Sequence, residues 1–323
     1  MSDQQLPTSY SSLPFRHIKV EHVPASSPTP TPVLLIKLHR PEKLNAFTFL
    51  MQDDLELVYR LVDKDPRVKC LVLTGSGKSM CAGMDLQLGF GKDSAAKSST
   101  QQQQQRERNA DHRDSGGQVV LAIHQCSKPT IAAINGAAVG VGITMCLPAA
   151  IRVAYAKAKI GFVFSQRGIV MEACSSFFLP RLIGHSRSLF LTTTGGVYTA
   201  DSAHFCPLFA EVMPTPEATV KRALELADQV ANNTSIVSTK LMRDLMYRGP
   251  LSAEETHLLD SRILDGIHMK KDNSEGVQSF LEKRPARFEG ALPADGPDVY
   301  PWWTPVDTSK VSPVNSKGGS SKL

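Results

Sequence analysis

No stretch of this 323-residue chain approaches the roughly 18 apolar residues of a membrane-spanning helix. Its first residues, Met1 to Arg16, lack the hydrophobic core of a signal peptide and the arginine-rich pattern of a transit peptide, so neither is expected. The six cysteines include no CxxC pair. That argues against a disulfide frame or a cysteine-based zinc site and for buried thiols in a reducing compartment. His39, His124, His185 and His204 are too dispersed to form a ligand set, and no metal is expected. Charge of one sign is also scarce. A net charge of +5 is too diffuse to argue for nucleic acid, although it suits a ligand that carries phosphates. Ser175 and Ser176 lack a nucleophile elbow and read as helix-entry residues.

What is present is an alternation of strand and helix signals in an ordinary globular composition, 41% apolar and 21% charged. Val33 to His39, Val68 to Thr74, Thr130 to Asn135 and Ile151 to Tyr155 are apolar runs of strand length, with an edge strand expected near His17 to Val23. Phe49 to Lys64 has helical spacing, and strands of this kind between helices predict an α/β fold with buried sheets. Ala218 to Ala231, Ser235 to Arg248, Ala253 to Met269 and Gly276 to Lys283 read as helices. The expected organisation is a flexible arm over 1–16, an α/β core over 17–215, a helical region over 216–288 and a flexible tail over 289–323. A polar stretch at about 89–117, holding Gln101 to Gln105, is expected to be a mobile flap beside a site. The tail is rich in Pro, Gly, Ser and Lys and ends in Ser321-Lys322-Leu323, the address read by the peroxisomal import receptor; a peroxisomal location is expected.

Two loops carry the chemistry. One is Ser79-Met80-Cys81-Ala82-Gly83-Met84-Asp85-Leu86; the other runs from Asn135-Gly136 through Gly140-Val141-Gly142 to Thr144. Small residues there let backbone N–H groups approach a ligand, and a helix N-terminus favours negative charge. A dinucleotide fingerprint fails, because Met145 stands where the third glycine belongs. Glu172 lies among Phe162, Val163, Phe164, Ile169, Val170 and Met171, and no other acid lies between Asp114 and Asp201. Apolar surroundings raise a carboxyl pKa and suit it to proton transfer near neutral pH.

Leu38-His39-Arg40-Pro41 with Leu44-Asn45-Ala46, Cys81 to Leu86, and Lys128-Pro129 with Asn135-Gly136 and Gly140 together resemble the crotonase, or enoyl-CoA hydratase/isomerase, superfamily. The resemblance runs from about Ile18 to Phe288. It implies repeated ββα units, C-terminal helices that assemble homotrimers or homohexamers, an acyl-CoA substrate, and no cofactor beyond that coenzyme A. It also implies an oxyanion hole from the backbone N–H groups of Ala82 and Val141. Arg40, Lys43, Asn45, Ala46, Gly83, Asp85, Leu86 and Gly140 are implied around the substrate and its CoA. The family's two hydratase carboxylates would fall at Thr144 and Phe164, and neither is an acid. Gly168 to Ser176, with Glu172 ahead of a small-residue pair, is similar instead to the peroxisomal 3,2-enoyl-CoA isomerases. That resemblance implies a one-base shuttle in which Glu172 moves a proton from the α- to the γ-carbon of a 3-enoyl-CoA. Two alternatives fit the same residues: a hydratase or dehydratase of fatty-acid oxidation or specialised biosynthesis, and a non-catalytic CoA-binding protein.

Overall fold

The computed structural model describes residues 6–89 and 112–308. Most of the stretch expected as a flap, and Ser321-Lys322-Leu323, lie outside the described residues. β1 (Ile18–His22) and β2 (Val33–Leu38) pair antiparallel. α1 (Phe49–Lys64), capped by the Thr48 side chain, leads to β3 (Cys70–Gly75), β4 (Ser79–Cys81) and the one-turn α2 (Leu86–Gly89). Next come α3 (Ser115–Gln125), β5 (Thr130–Ile134), β6 (Ala137–Val139) and the one-turn α4 (Val141–Thr144). β7 (Ile151–Tyr155), β8 (Lys159–Gly161), α5 (Ser175–Ile183), α6 (His185–Thr194), β9 (Val197–Thr199) and β10 (Glu211–Met213) follow. The chain then turns helical in α7 (Pro216–Asn233), α8 (Ile236–Arg248), α9 (Ala253–Ile267) and α10 (Lys271–Leu281).

The strands make two sheets, β1-β2-β3-β5-β7-β10 and β4-β6-β8-β9. Each of the pairs β3/β4, β5/β6 and β7/β8 sends its first strand to the larger sheet and its second to the smaller, so the expected ββα unit recurs. The larger sheet is parallel from β2 onward, and both its faces are covered. Leu34, Ile36, Leu71, Leu73, Ala132 and Ile134 face the main core. Val33, Leu35, Cys70, Val72, Ile131 and Ala133 face α7. Two buried faces account for strands that are apolar throughout. Ala223, Ala227 and Ala231, one turn apart, let α7 lie close on the sheet.

Three expectations change. The described part of the arm is not loose: Tyr10 is fully buried, its hydroxyl donates to Asp65 Oδ2 at 3.1 Å, and the Arg16 and His17 N–H groups both donate to Asp54 Oδ2 at 2.8 Å. The described tail is also docked, with Trp302 Nε1 donating to Arg248 O at 3.1 Å and Gly290 N to Asp272 Oδ1 at 2.7 Å. A polar, proline-rich composition hides such single anchors. The helix expected to reach Met269 stops at Ile267, where His268 leaves the helical region at ψ 135° and Met269 follows at a left-handed φ of 61°.

Two buried asparagines hold the loops between the sheets. Asn45 Nδ2 donates to Ser76 O at 2.9 Å and Ser79 O at 2.8 Å, and its Oδ1 accepts from the Arg40 N–H at 2.9 Å. Asn135 Nδ2 donates to Gly75 O at 2.8 Å and Gly77 O at 3.0 Å, and its Oδ1 accepts from the Gly75 N–H. The turn after β3 is thereby fixed against the turn after β5, which sets β4 and β6 side by side. The site is built at their ends.

Candidate active site

Glu172 is delivered by a tight turn. A 3₁₀ turn at Ser165–Arg167 ends at Gly168, the exposed Ile169 and Val170 lead back, and Ala173 and Cys174 take φ values of 53° and 51° before α5 begins. Ser175 fixes the backbone there, since its N–H and its hydroxyl both donate to Glu172 O, at 2.9 and 2.5 Å. The Thr144 hydroxyl donates to Glu172 Oε1 at 2.6 Å. Burial pushes the Glu172 carboxyl up to about 7; the charge of Asp114 adds to the rise and the Thr144 hydrogen bond opposes it.

Two residues that line the same space have backbone N–H groups without a hydrogen-bond partner among the described residues. Val141 is the first residue of α4, reached through Gly140 at φ 54°, a conformation that suits glycine. Its N–H is therefore one of the helix's unsatisfied donors. Met84 bridges to Phe47 in parallel: the Phe47 N–H donates to Gly83 O at 2.8 Å and the Asp85 N–H to Phe47 O at 2.9 Å. The Met84 N–H faces away from that pairing and has no partner among the described residues. Ala82, expected from the sequence to supply this donor, does not: its N–H donates to Leu44 O at 3.1 Å. The parallel bridge places the free N–H two residues further on.

Glu172, Met84 and Val141 line one cavity of about 460 Å³. Val139, Gly140, Val163, Phe164 and Ile169 make its apolar wall, Ala82, Gly83 and Leu86 complete it, and Glu172 and Arg167 are its only charged residues among those described. Thr144 and Phe164, the positions where carboxylates were sought, are a hydroxyl held to Glu172 and a buried ring in the wall.

The residues expected around coenzyme A are not all brought to the cavity. Arg40 is paired with Asp85 at 3.0 Å and donates to Ala46 O at 2.7 Å, both acid and base being nearly buried. With Asn45 fully buried, the side chains of Arg40, Asn45 and Asp85 shape the loop and do not offer themselves to a ligand, a correction to the sequence reading. Lys43 is exposed on the 3₁₀ turn Pro41–Lys43. Gly83, Leu86 and Gly140 do line the cavity. The sequence reading missed Met84 and the part played by Thr144. The β-bridge that orients Met84 joins residues 37 positions apart, and no local pattern announces it.

The family model for enoyl-CoA hydratase/isomerase matches residues 29–291. Enoyl-CoA hydratase AFT3-1 of Alternaria alternata is 46% identical over 88% of this chain and 90% of its own length, and AKT3-2 of the same organism is 45% identical. The 1,2-epoxyphenylacetyl-CoA isomerase of Escherichia coli is 29% identical over 80% of this chain and 95% of its own. Among solved structures, an enoyl-CoA hydratase from Bacillus anthracis superposes with a TM-score of 0.72 at 26% identity, over 85% of this chain and all of the other.

Proposed function

The chain belongs to the enoyl-CoA hydratase/isomerase family, and from that premise we propose that it performs acid–base chemistry on an enoyl-CoA thioester with Glu172 as its sole catalytic carboxylate. The observation that carries this reading is that Glu172, raised toward neutrality, lines one cavity with Met84 and Val141, whose backbone N–H groups have no partner among the described residues. A proton taken from the carbon beside a thioester, or water added to its double bond, leaves negative charge on the thioester oxygen. Fixed N–H donors stabilise that charge in the transition state and need no reorganisation. A carboxyl poised near the working pH can take the proton and give it back.

Two outcomes are open to this machinery. Addition of water across C2–C3 is favoured by relatives at 45–46% identity that carry the name enoyl-CoA hydratase. Glu172 would take a proton from the attacking water and return one to C2. The double-bond shift from 3-enoyl- to 2-enoyl-CoA is favoured by the lone carboxylate, because it needs only one group to move one proton from C2 to C4. Incubation with a 2-enoyl-CoA and, separately, a 3-enoyl-CoA separates them: mass gain of one water identifies hydration, and conjugation at constant mass identifies the shift. Turnover of either substrate that persists undiminished in Glu172→Gln would overturn the assignment of the base.

Self-association belongs to the same reading. Val277, Phe280 and Leu281 form an exposed apolar stripe on α10, which suits burial against another copy.

A further inference from the structure

Resting on the reading of Glu172 as the base, we propose that Asp114 is a positioning residue for Glu172: it holds the left-handed turn that carries the glutamate and places a second negative charge beside its carboxylate. Asp114 caps α3, and its Oδ1 accepts two N–H groups, Gly117 at 2.6 Å and Ala173 at 3.3 Å. The second of these reaches 59 residues along the chain to the residue directly after Glu172. Ala173 and Cys174 both sit at positive φ without being glycine, a conformation that persists only where surrounding structure holds it. The hydrogen bond from Ala173 to Asp114 is one such restraint; the two from Ser175 to Glu172 O are the other.

The start of α3 is shaped for this contact. A Cβ on Gly116 would lie 2.1 Å from Glu172 Oε2, and one on Gly117 would lie 2.5 Å from Asp114 Oδ2. In Asp114-Ser115-Gly116-Gly117, then, one glycine admits the glutamate carboxylate and the next admits the capping aspartate. Thr144 of α4 hydrogen-bonds Glu172, and Asp114 at the cap of α3, Cys81 of β4 and Cys174 of the glutamate's own turn lie near enough to interact with it electrostatically. Arg167 lines the same cavity. Of the charged groups named, Asp114 is the one whose effect on Glu172 opposes ionisation, so it delays loss of the proton as pH rises.

The cap and the charge can be separated. Asn caps a helix as well as Asp does, so Asp114→Asn keeps an oxygen for both N–H groups and removes the charge, whereas Asp114→Ala removes both. The full-length chain is assayed as kcat/KM against pH with whichever enoyl-CoA thioester it turns over, beside Glu172→Gln. For Asp114→Asn the expected result is a plateau kcat near that of the parent with the acid limb moved to lower pH. For Asp114→Ala it is a kcat lowered roughly 10- to 100-fold, with a much smaller change in KM, as the carboxylate drifts from its reacting position. An Asp114→Asn profile that superposes on the parent's overturns the charge part of the inference, and an Asp114→Ala kcat equal to the parent's overturns the positioning part. If Glu172→Gln itself retains turnover, it is the assignment of the base that has failed. If Glu172→Gln is inactive while Asp114→Asn superposes and Asp114→Ala keeps the parent's kcat, the base stands and the role of Asp114 is lost.

Discussion

Glu172 is held between opposing influences, and each can be removed singly. Burial and the Asp114 charge favour its protonated form, while the Thr144 hydroxyl at 2.6 Å favours the ionised one. With the carboxyl near 7 and acting as a base, kcat/KM is expected to fall with acidity below about pH 7 and to level off above it. Thr144→Val keeps the shape, removes the donor and raises the carboxyl further, so the acid limb moves to higher pH; an unmoved limb would deny Thr144 its part. Stability should carry the same signature with a definite sign. The folded protein keeps the Glu172 proton up to about 7, and an unfolded glutamate loses it near 4.3. The wild type therefore loses stability as pH rises from about 4.3 through 7. Glu172→Gln, which cannot ionise, should be the more stable protein at pH 8 by about 3–4 kcal/mol, an advantage that disappears by pH 4. Thermal melts of both proteins at the two pH values check it.

The elements that carry these residues were unequally legible in the chain. β2, β3, β5 and β7 were visible because a strand buried on both faces has no polar side to interrupt it. Residues such as Leu34 and Leu35 face different cores, and both had to be apolar. Glu172 stands out in the chain as a lone acid in apolar company, whereas Val141 is singled out only by the family resemblance. Met84 was visible by neither route. Its N–H is free because Phe47 pairs with the residues on either side of it, and such a pairing has no local sequence signal. Nor could the chain show that Arg40, Asn45 and Asp85 are spent on one another and on loop backbone rather than on a ligand. Composition also misjudged both ends, where Tyr10 and Trp302 act as single anchors in otherwise polar segments. The packing of α7 gives a test at this level. Ala227 is fully buried against the sheet, and Ala227→Leu should destabilise the fold by about 1–3 kcal/mol, read from urea unfolding midpoints. Lys221→Leu, on the exposed face of the same helix, should cost far less.

The assembled chain leaves apolar surface at its helical end that the core does not claim. Val277, Phe280 and Leu281 are spaced three and four residues apart, so they share one face of α10, and Phe280 is 81% exposed. The polar side of the same helix is occupied within the chain: Glu275 pairs with Arg284 at 2.6 Å, and Asp272 accepts the Glu289 and Gly290 N–H groups. One face is thus committed to the chain itself and the adjoining stripe is left open, an arrangement that stores no stability in a monomer. Burying three such side chains against a second copy would stabilise the pair by several kcal/mol, at roughly 1.5–3 kcal/mol for each large apolar side chain removed from water. The protein should therefore run in light scattering as a multiple of its 35.2 kDa chain. Phe280→Asp with Leu281→Asp should move it toward the single-chain mass while leaving far-UV circular dichroism unchanged, since neither side chain is needed by the folded chain. A wild type that runs at 35.2 kDa at micromolar concentration would show that the stripe has another use, and an oligomer indifferent to both substitutions would place the contact elsewhere on the molecule.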